Sequence, residues 1–269
     1  VATLRNRLTN IGAANPDGSK PVWTYEDDYH YKELTPYRSS EGKPLYSYYL
    51  LRTDGVFQTD AEAAAYVNSN GQRLQPKAKA GDLKFVDVDQ NGSIGEGDYE
   101  FRGNAMPKMT YAFSAGFSYK KFTFDFMFQG SYGAKLFNAY KYTTLNEAVG
   151  SFNRSEKILK ALEGPTYDVP RISMTDDNDN FGRISDWYLE SGSYLRMKNI
   201  SISYSFSDLL RKLAFFNQRQ STLDLTLSCD NLFTITPYSG IDPEVGGVGL
   251  DCGQYPVSRT ISLGVKIKF

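Results

Sequence analysis

A stretch of alternating acidic and small residues has the composition of a metal-binding loop. It runs from position 87 to position 98 and reads Asp-Val-Asp-Gln-Asn-Gly-Ser-Ile-Gly-Glu-Gly-Asp. In twelve-residue calcium loops, oxygen ligands recur at alternate positions, a central glycine allows a sharp turn, and an acid at the last position closes the ring. The spacing therefore predicts a calcium ion whose ligands are Asp87, Asp89, Asn91, Ser93 and Asp98.

The last position of this loop departs from the usual pattern. Asp98 stands where a bidentate Glu is common, which shortens the reach of the ligand and predicts weaker binding. No pair of flanking helices is evident in the sequence, so we expect a structural ion rather than a calcium-operated switch. An Asx-rich turn without an ion is the alternative interpretation.

Groups suited to catalysis are scarce. The chain has a single histidine, His30, so a histidine-based triad or a histidine-rich metal site is hard to build. Near it lie Trp23, Tyr25, Tyr29 and Tyr31, aromatic residues that can stack on a ligand or pack within a loop. We expect no enzymatic activity and predict that these four residues contact a substrate or a partner protein.

Charge and hydropathy narrow the class of protein. Thirty Lys and Arg residues against 31 Asp and Glu residues give a net charge of -1, and no basic block suggests a nucleic-acid partner. A mean hydropathy of -0.46 and the lack of a long apolar run exclude a membrane-spanning helix. They leave open a membrane wall made of amphipathic strands. The two cysteines predict no disulfide framework.

Five segments alternate apolar and polar residues as strands do. In the last of them, residues 258–269, apolar side chains from Ile261 to Phe269 alternate with Thr, Ser, Gly and Lys. Such a strand suits a wall with lipid outside and water inside, although a soluble antiparallel strand has a similar pattern. The other predicted strands are 111–119, 122–132, 193–206 and 221–233.

The segment 193–206 changes phase part way along. Leu195 and Met197 occupy odd positions, whereas Ile200 and Ile202 occupy even positions. One extra residue restores a continuous apolar face, so we predict a β-bulge near Lys198-Asn199.

The connections between these strands alternate in length. Lys120-Lys121 is a tight turn and 207–220 a modest connection with a short helical pattern, whereas residues 10–110, 133–192 and 234–257 form long segments. Short turns on one side and long loops on the other are typical of outer-membrane barrels, in which the long loops are extracellular. Helix signals predict that these loops are ordered, with helices at 61–69 and 155–163.

Several segments, in this order, resemble one known family. Two of them read Tyr194-Leu-Arg-Met-Lys-Asn-Ile200 and Tyr238-Ser-Gly-Ile-Asp-Pro-Glu244, and the others span 44–58, 81–92, 107–111, 128–133, 231–233 and 255–260. Together they are similar to the C-terminal portion of SusC/RagA-type TonB-linked outer-membrane transporters. The resemblance runs from about residue 44 to the end of the chain.

The resemblance implies an all-β fold, the C-terminal part of an antiparallel transmembrane β-barrel of about 22 strands. Residues 1–269 would supply the closing part of its wall, and the N-terminal plug would lie in a preceding segment. It further implies TonB-driven import of an oligosaccharide or a peptide across the outer membrane of a Gram-negative bacterium. A SusD-like surface lipoprotein would act as a lid, and the calcium-type loop fits the pattern of this family.

Two questions stay open at this point. The strand before Tyr111 is either Val1–Thr9 or Leu45–Arg52, and we favour the first because the second would leave a very long periplasmic connection.

The alternative function is that of a soluble all-β module that binds carbohydrate with calcium. The row of Phe residues from Phe122 to Phe128 argues against it, because soluble sheets rarely leave such a face bare.

Overall fold

The computed structural model describes residues 1–16, 19, 21, 23–24, 36–150, 153–206 and 222–268, with the backbone alone at 23–24. The strands within this part are β1 Ala2–Thr3, β2 Trp23–Thr24, β3 Tyr37–Ser39, β4 Ser47–Leu51, β5 Thr53–Val56, β6 Leu83–Phe85, β7 Tyr99–Asn104, β8 Met109–Tyr119, β9 Phe122–Tyr132, β10 Lys135–Asn138, β11 Leu189–Ser191, β12 Tyr194–Ser205, β13 Thr222–Ile235, β14 Leu250–Asp251 and β15 Thr260–Lys268. The α-helices are α1 Asp60–Ala65, α2 Tyr140–Leu145 and α3 Lys160–Glu163, and Glu96–Asp98, Glu156–Leu159 and Asp186–Tyr188 form 3-10 turns.

The largest sheet, which we call the wall, contains six strands in the order β1-β8-β9-β12-β13-β15. Every neighbouring pair in it is antiparallel. The five strands predicted from alternation are therefore confirmed as one continuous sheet. Apart from β1 they run for 9 to 14 residues, about the length that crosses a bilayer when tilted. Phe269 lies outside the described residues.

One face of the wall is apolar across every long strand. Phe126 pairs with Ala115 on one side and with Ile200 on the other, and Leu225 pairs with Val265. No second layer covers this face within the described residues, so Leu263 stays 69% exposed. A large uncovered apolar surface of this kind fits contact with lipid.

The β-bulge predicted in the fourth wall strand is confirmed. The pairing of β12 shifts between Met197 and Asn199 against both of its neighbours, β9 and β13. Against β9, Lys198 is the extra residue, so Met197 and Ile200 keep their side chains on the same apolar face. Against β13, the extra residue lies in β13, where Asn231 has φ 53°.

Gly130 in β9 allows an aromatic side chain to cross the sheet. Tyr111 in β8 stands directly opposite Gly130, and its hydroxyl donates a hydrogen bond to the carbonyl of Tyr194 in β12, 3.1 Å away. A Cβ atom at Gly130 would collide with both Tyr111 and that carbonyl. A glycine is therefore required where the aromatic ring lies across the backbone.

The connections at the two ends of the wall differ in length, as predicted. At one end, Lys120-Lys121 joins β8 to β9 in a two-residue turn, with Lys120 in the left-handed region at φ 56°. At the other end, long excursions leave the sheet. The strand before β8 is β1, which pairs through Ala2 and Thr3, whereas β4 belongs to a separate sheet. Val1–Thr9 thus supplies the neighbouring strand, although only its first residues are paired.

The long excursions pack together into what we call the loop layer, residues 23–24, 36–108, 133–150, 153–193 and 236–259. Three small sheets build it: β2-β3-β4-β7, β5-β6 and β11-β10-β14. All three excursions contribute to a single core, whose fully buried members include Tyr48, Leu50, Phe85, Phe137, Phe181 and Tyr188. The prediction that these loops are ordered is confirmed for the described residues. Their position outside the cell remains a prediction.

Helix α1 ends earlier than predicted. Thr59 caps it as expected, because its Oγ1 accepts a hydrogen bond from the amide of Glu62. The helix stops at Ala65 instead of Ser69, so the predicted end was wrong. The amide of Leu74 bonds to the carbonyl of Tyr66, and Val67 pairs with Arg73, so the chain folds back in a hairpin-like turn. Tertiary pairing has overridden the helical tendency of this segment.

The second predicted helix, at 155–163, is confirmed in a mixed form. Ser155 caps the 3-10 turn Glu156–Leu159, α3 continues it, and Gly164 ends it with φ 146°. The helical pattern at 207–220 lies outside the described residues.

The two faces of the wall give a first prediction. Phe126 lies on the apolar face and its neighbour Asp125 on the polar face. Phe126→Arg should cost about 2–4 kcal/mol near the bilayer midplane, whereas Asp125→Arg should be tolerated. The measurement is the folded fraction of the full-length receptor in a heat-modifiability gel. Equal damage from both substitutions would show that the assignment of the faces is wrong.

Candidate functional site

The predicted calcium loop lies in the loop layer between β6 and β7. The chain enters it after Val86, whose amide bonds to the carbonyl of Arg52, and leaves it through the 3-10 turn Glu96–Asp98. One carboxylate oxygen from each of Asp87, Asp89 and Asp98 lies within 4.8 Å of the others. Three of the five predicted ligands therefore converge.

Hydrogen bonds within the loop hold these carboxylates in place. Asp98 is fully buried, and its two oxygens accept bonds from the amides of Val88 and Gly95 at 2.6 Å and 2.7 Å. Asp87 Oδ2 accepts the amide of Gly92 at 2.9 Å. Gly92 has φ 86°, and a Cβ there would lie 3.0 Å from the side-chain nitrogen Nδ2 of Asn68, so both the backbone conformation and the lack of space disfavour a side chain.

The remaining predicted ligands are engaged differently. The side chain of Asn91 donates to Asp89 Oδ2 at 2.8 Å, and its own oxygen accepts bonds from the amide and hydroxyl of Ser93. Asn91 and Ser93 therefore brace the loop, and the carboxylates form the converging set.

The donor set fits a hard divalent cation. Asp87 Oδ1 is buried and has no hydrogen-bond partner among the described residues. No basic side chain in the described part of the chain forms an ion pair with any of the three carboxylates. Oxygen ligands with several negative charges are those that calcium prefers. Burial, and secondarily the charge of Asp87, raises the pKa of the nearby Tyr66, whose hydroxyl donates to the carbonyl of Phe85.

A second acidic segment, residues 176–180, is held in the loop layer by hydrogen bonds. Asn178 and Asn180 are buried. Asn180 accepts the amide of Leu83 and donates to Asp82, while Asp176 accepts the amides of Asn180 and Phe181. The segment is a hydrogen-bonded brace that joins two excursions of the loop layer.

The four aromatic residues predicted to contact a substrate or a lid lie at the margin of what the structure describes. Trp23 is in β2, whose backbone pairs with β3 at Ser39, and so belongs to the loop layer. Tyr25, Tyr29 and Tyr31 lie outside the described residues, as does His30. Their proposed role stays a prediction.

The two motifs that read Tyr194–Ile200 and Tyr238–Glu244 meet at one buried side chain. Arg196 is 3% exposed. Its guanidinium bonds to Asp242 at 2.6 Å, to Glu244 at 2.5 Å and to the hydroxyl of Thr234 at 2.8 Å. Burial alone would raise the pKa of Asp242, but the amides of Glu244 and Val257 and the charge of Arg196 lower it overall. The ion pair ties the last excursion to the wall.

A cleft of about 650 Å³ also opens in the loop layer. At its floor Lys141 Nζ lies 2.8 Å from Glu190, 2.9 Å from the carbonyl of Trp187 and 4.6 Å from the centre of the Trp187 ring. Burial lowers the pKa of Lys141, partly offset by Glu190. Burial would raise the pKa of Glu190, but Lys141 and Ser239 outweigh it and lower that pKa.

Sequence reasoning missed this cleft. Its walls come from residues 138–168, 186–190 and 239–241, which are far apart in the chain. The only local signal was the cap at Ser155, which marks the short helix at the mouth but says nothing of what faces it.

The amino-acid sequence is similar to those of known TonB-dependent receptors. The chain is 31% identical over 244 residues to TonB-dependent receptor P3 of Formosa agariphila, covering 85% of this chain and 22% of that receptor. It is 25% identical over 186 residues to TonB-dependent receptor SusC of Bacteroides thetaiotaomicron, covering 69% of this chain and 17% of SusC. No family model matches the chain.

Solved structures agree on the fold. The RagAB peptide importer in its open-open state superposes with a TM-score of 0.62 at 23% identity, over 87% of this chain and 23% of that one. The RagAB peptide transporter gives a TM-score of 0.63 at 21% identity, over 92% and 24%. The chain thus spans about a quarter or less of these relatives.

The fold is that of a segment of these β-barrel structures, a six-stranded wall with one bare apolar face joined to a packed loop layer. The resemblance carried by the sequence motifs is confirmed: the chain is similar to part of the SusC/RagA type of TonB-dependent receptor, and it lies in the outer membrane. The relatives and structures named above are receptors and importers by name. Within the described residues, no helix has the length and apolar character needed to cross a membrane.

Proposed function

We propose that this chain supplies wall strands and extracellular loops to a receptor that imports a nutrient across the outer membrane. The observation that carries the proposal is the joining of a bare apolar wall to a layer of ordered loops with a shared core and an open cleft. Ordered loops on a rigid sheet are the usual location of binding residues. The names of the relatives, TonB-dependent receptors and a peptide importer, support the same class of activity.

The partners follow from the same family. The energy would come from the TonB complex, which would engage another part of the receptor. A SusD-like lipoprotein would close over the loop layer, because SusC-type relatives are built on the same fold. The substrate would be an oligosaccharide or a peptide. We expect Trp23, Tyr25, Tyr29 and Tyr31 to lie on the lid-facing or substrate-facing side.

The test of function uses the full-length receptor in its native bacterium. Deleting the receptor gene should abolish uptake of the nutrient that it imports, and deleting tonB should abolish it equally. Extraction of the receptor from the membrane should require detergent. A surface lipoprotein should co-purify with it. Release by high-salt or alkaline washing without detergent would instead support the soluble carbohydrate-binding module. TonB-independent uptake would contradict the proposed mechanism.

We also propose that the loop at 87–98 holds one calcium ion with a structural role. The support is the convergence of Asp87, Asp89 and Asp98 together with the unpartnered Asp87 Oδ1. A bound ion would neutralise the three carboxylates. It would also stiffen the loop between two fixed points. Ile94 packs against the core, and the side chain of Asn68 donates a hydrogen bond to the carbonyl of Gly92.

Calcium binding is tested on the purified receptor by calorimetry and by thermal unfolding with and without a chelator. Calcium should raise the melting temperature, because a ligand that binds only the folded state stabilises it. Asp87→Asn should weaken calcium binding at least about tenfold by removing one ligand charge. Asp177→Asn, at an exposed acid outside the loop, is the matched control and should have no effect. No heat of binding and no change in melting temperature for the native receptor would refute the site.

A further inference from the structure

Two residues outside the predicted ligand set lie in close contact with the groups of the calcium loop. Gly97 belongs to the loop itself, and Asn68 belongs to the turn that follows α1. Neither carries a carboxylate. Their contacts nevertheless determine where the carboxylates of the loop lie.

Gly97 leaves room for the carboxylate of Asp89. A Cβ atom at position 97 would collide with Asp89 Oδ2 and would lie 3.0 Å from its Cγ. Because the collision is with the end of a flexible side chain, rotation of Asp89 would relieve it without moving the backbone. That rotation would carry the Asp89 carboxylate away from those of Asp87 and Asp98, with which it converges.

Gly95, two positions earlier in the loop, has no such contact. A Cβ atom there would meet no atom within 4 Å, and its φ of -152° is ordinary extended backbone. Its amide donates a hydrogen bond to Asp98 Oδ2 at 2.7 Å, and an alanine keeps this amide. The loop therefore contains one glycine that a ligand requires and one that it does not.

Asn68 holds the loop from outside. Its Nδ2 donates a hydrogen bond to the carbonyl of Gly92 at 3.0 Å, while its Oδ1 accepts the amides of Asn70 and Gln72, each at 3.0 Å. The turn thus fixes the side chain of Asn68, which in turn fixes the peptide group of Gly92. The amide of Gly92 donates to Asp87 Oδ2 at 2.9 Å, so this arrangement extends to a carboxylate of the site.

We propose that Gly97 and Asn68 are positioning residues that set the calcium affinity of the loop. Gly97 admits the Asp89 carboxylate, and Asn68 holds Gly92 and through it Asp87. The inference rests on the proposed calcium site. Groups that orient metal ligands typically contribute about 10- to 100-fold to metal affinity. Coupling is reciprocal, so an ion that binds more tightly because of Asn68 also stabilises the turn around Asn68 by the same factor.

The test measures two quantities on the full-length receptor and its variants: calcium affinity by calorimetry, and the melting temperature in the presence of a chelator. Gly97→Ala should weaken calcium binding about tenfold or more and leave the melting temperature in chelator unchanged. Gly95→Ala is the matched control and should change neither quantity. Asn68→Ala should also weaken binding about tenfold, whereas Asn70→Ala, at an exposed side chain of the same turn, should not.

Amide hydrogen exchange gives a second readout, which a general loss of stability would not produce. Calcium should slow exchange of the amides of Asn70 and Gln72 in the native receptor, because both bond to Asn68 Oδ1. The Asn68→Ala variant should lose this effect of calcium even at saturating calcium.

Equal calcium affinity of the native receptor and the Gly97→Ala variant would overturn the role of Gly97, as would equal weakening by Gly95→Ala. An Asn68→Ala variant that loses thermal stability but keeps its calcium affinity would overturn the role of Asn68. Each of these results requires a native receptor that binds calcium. They are therefore distinguishable from failure of the proposed calcium site, in which the native receptor itself gives no heat of binding and both proposals fall.

Discussion

Backbone hydrogen bonding in lipid is the constraint on which the structure depends. Inside a bilayer no water is available to satisfy an exposed amide or carbonyl, so each spanning strand must pair along its whole length. Among the described residues, β9, β12 and β13 pair with a long strand on each side in one antiparallel sheet. The bulge at Lys198 and the left-handed Asn231 in the neighbouring strand are irregular backbone within the wall, and the apolar face stays continuous across them.

The same constraint drives the irregular segments to the ends of the strands, where they must find their own core. They meet at Tyr48, whose hydroxyl lies 3.0 to 3.2 Å from the carbonyls of Lys135, Val248 and Gly249. One side chain thus contacts all three excursions, and burial raises the pKa of its hydroxyl, which keeps it protonated as a donor. Arg196 adds a second tie between the wall and the last excursion. A preorganised loop layer of this kind can present a cleft and a metal loop at fixed positions.

The strands of the wall could be predicted in detail because the alternation of apolar and polar residues that marks them lies within each short segment of sequence. Alternation gave the strand bounds, and a phase change between Met197 and Ile200 gave the bulge. The calcium loop was likewise visible as a spacing of Asp87, Asp89 and Asp98. The burial of Asn180 and the joining of Lys141 to Glu190 could not be predicted, because each depends on contacts between segments distant in sequence. For the same reason the end of α1 was misplaced: pairing of Val67 with Arg73 decides it.

The central claim is that the wall crosses the outer membrane with the loop layer outside. It is tested most directly by labelling single cysteines with a membrane-impermeant maleimide, in a receptor in which Cys229 and Cys252 are replaced by Ser. Leu162, 74% exposed on α3, marks the loop layer, and Lys120 marks the tight turn at the opposite end. Leu162→Cys should label in intact cells, and Lys120→Cys only after the outer membrane is permeabilised. Labelling in the reverse order, or of both sites in intact cells, would contradict the account.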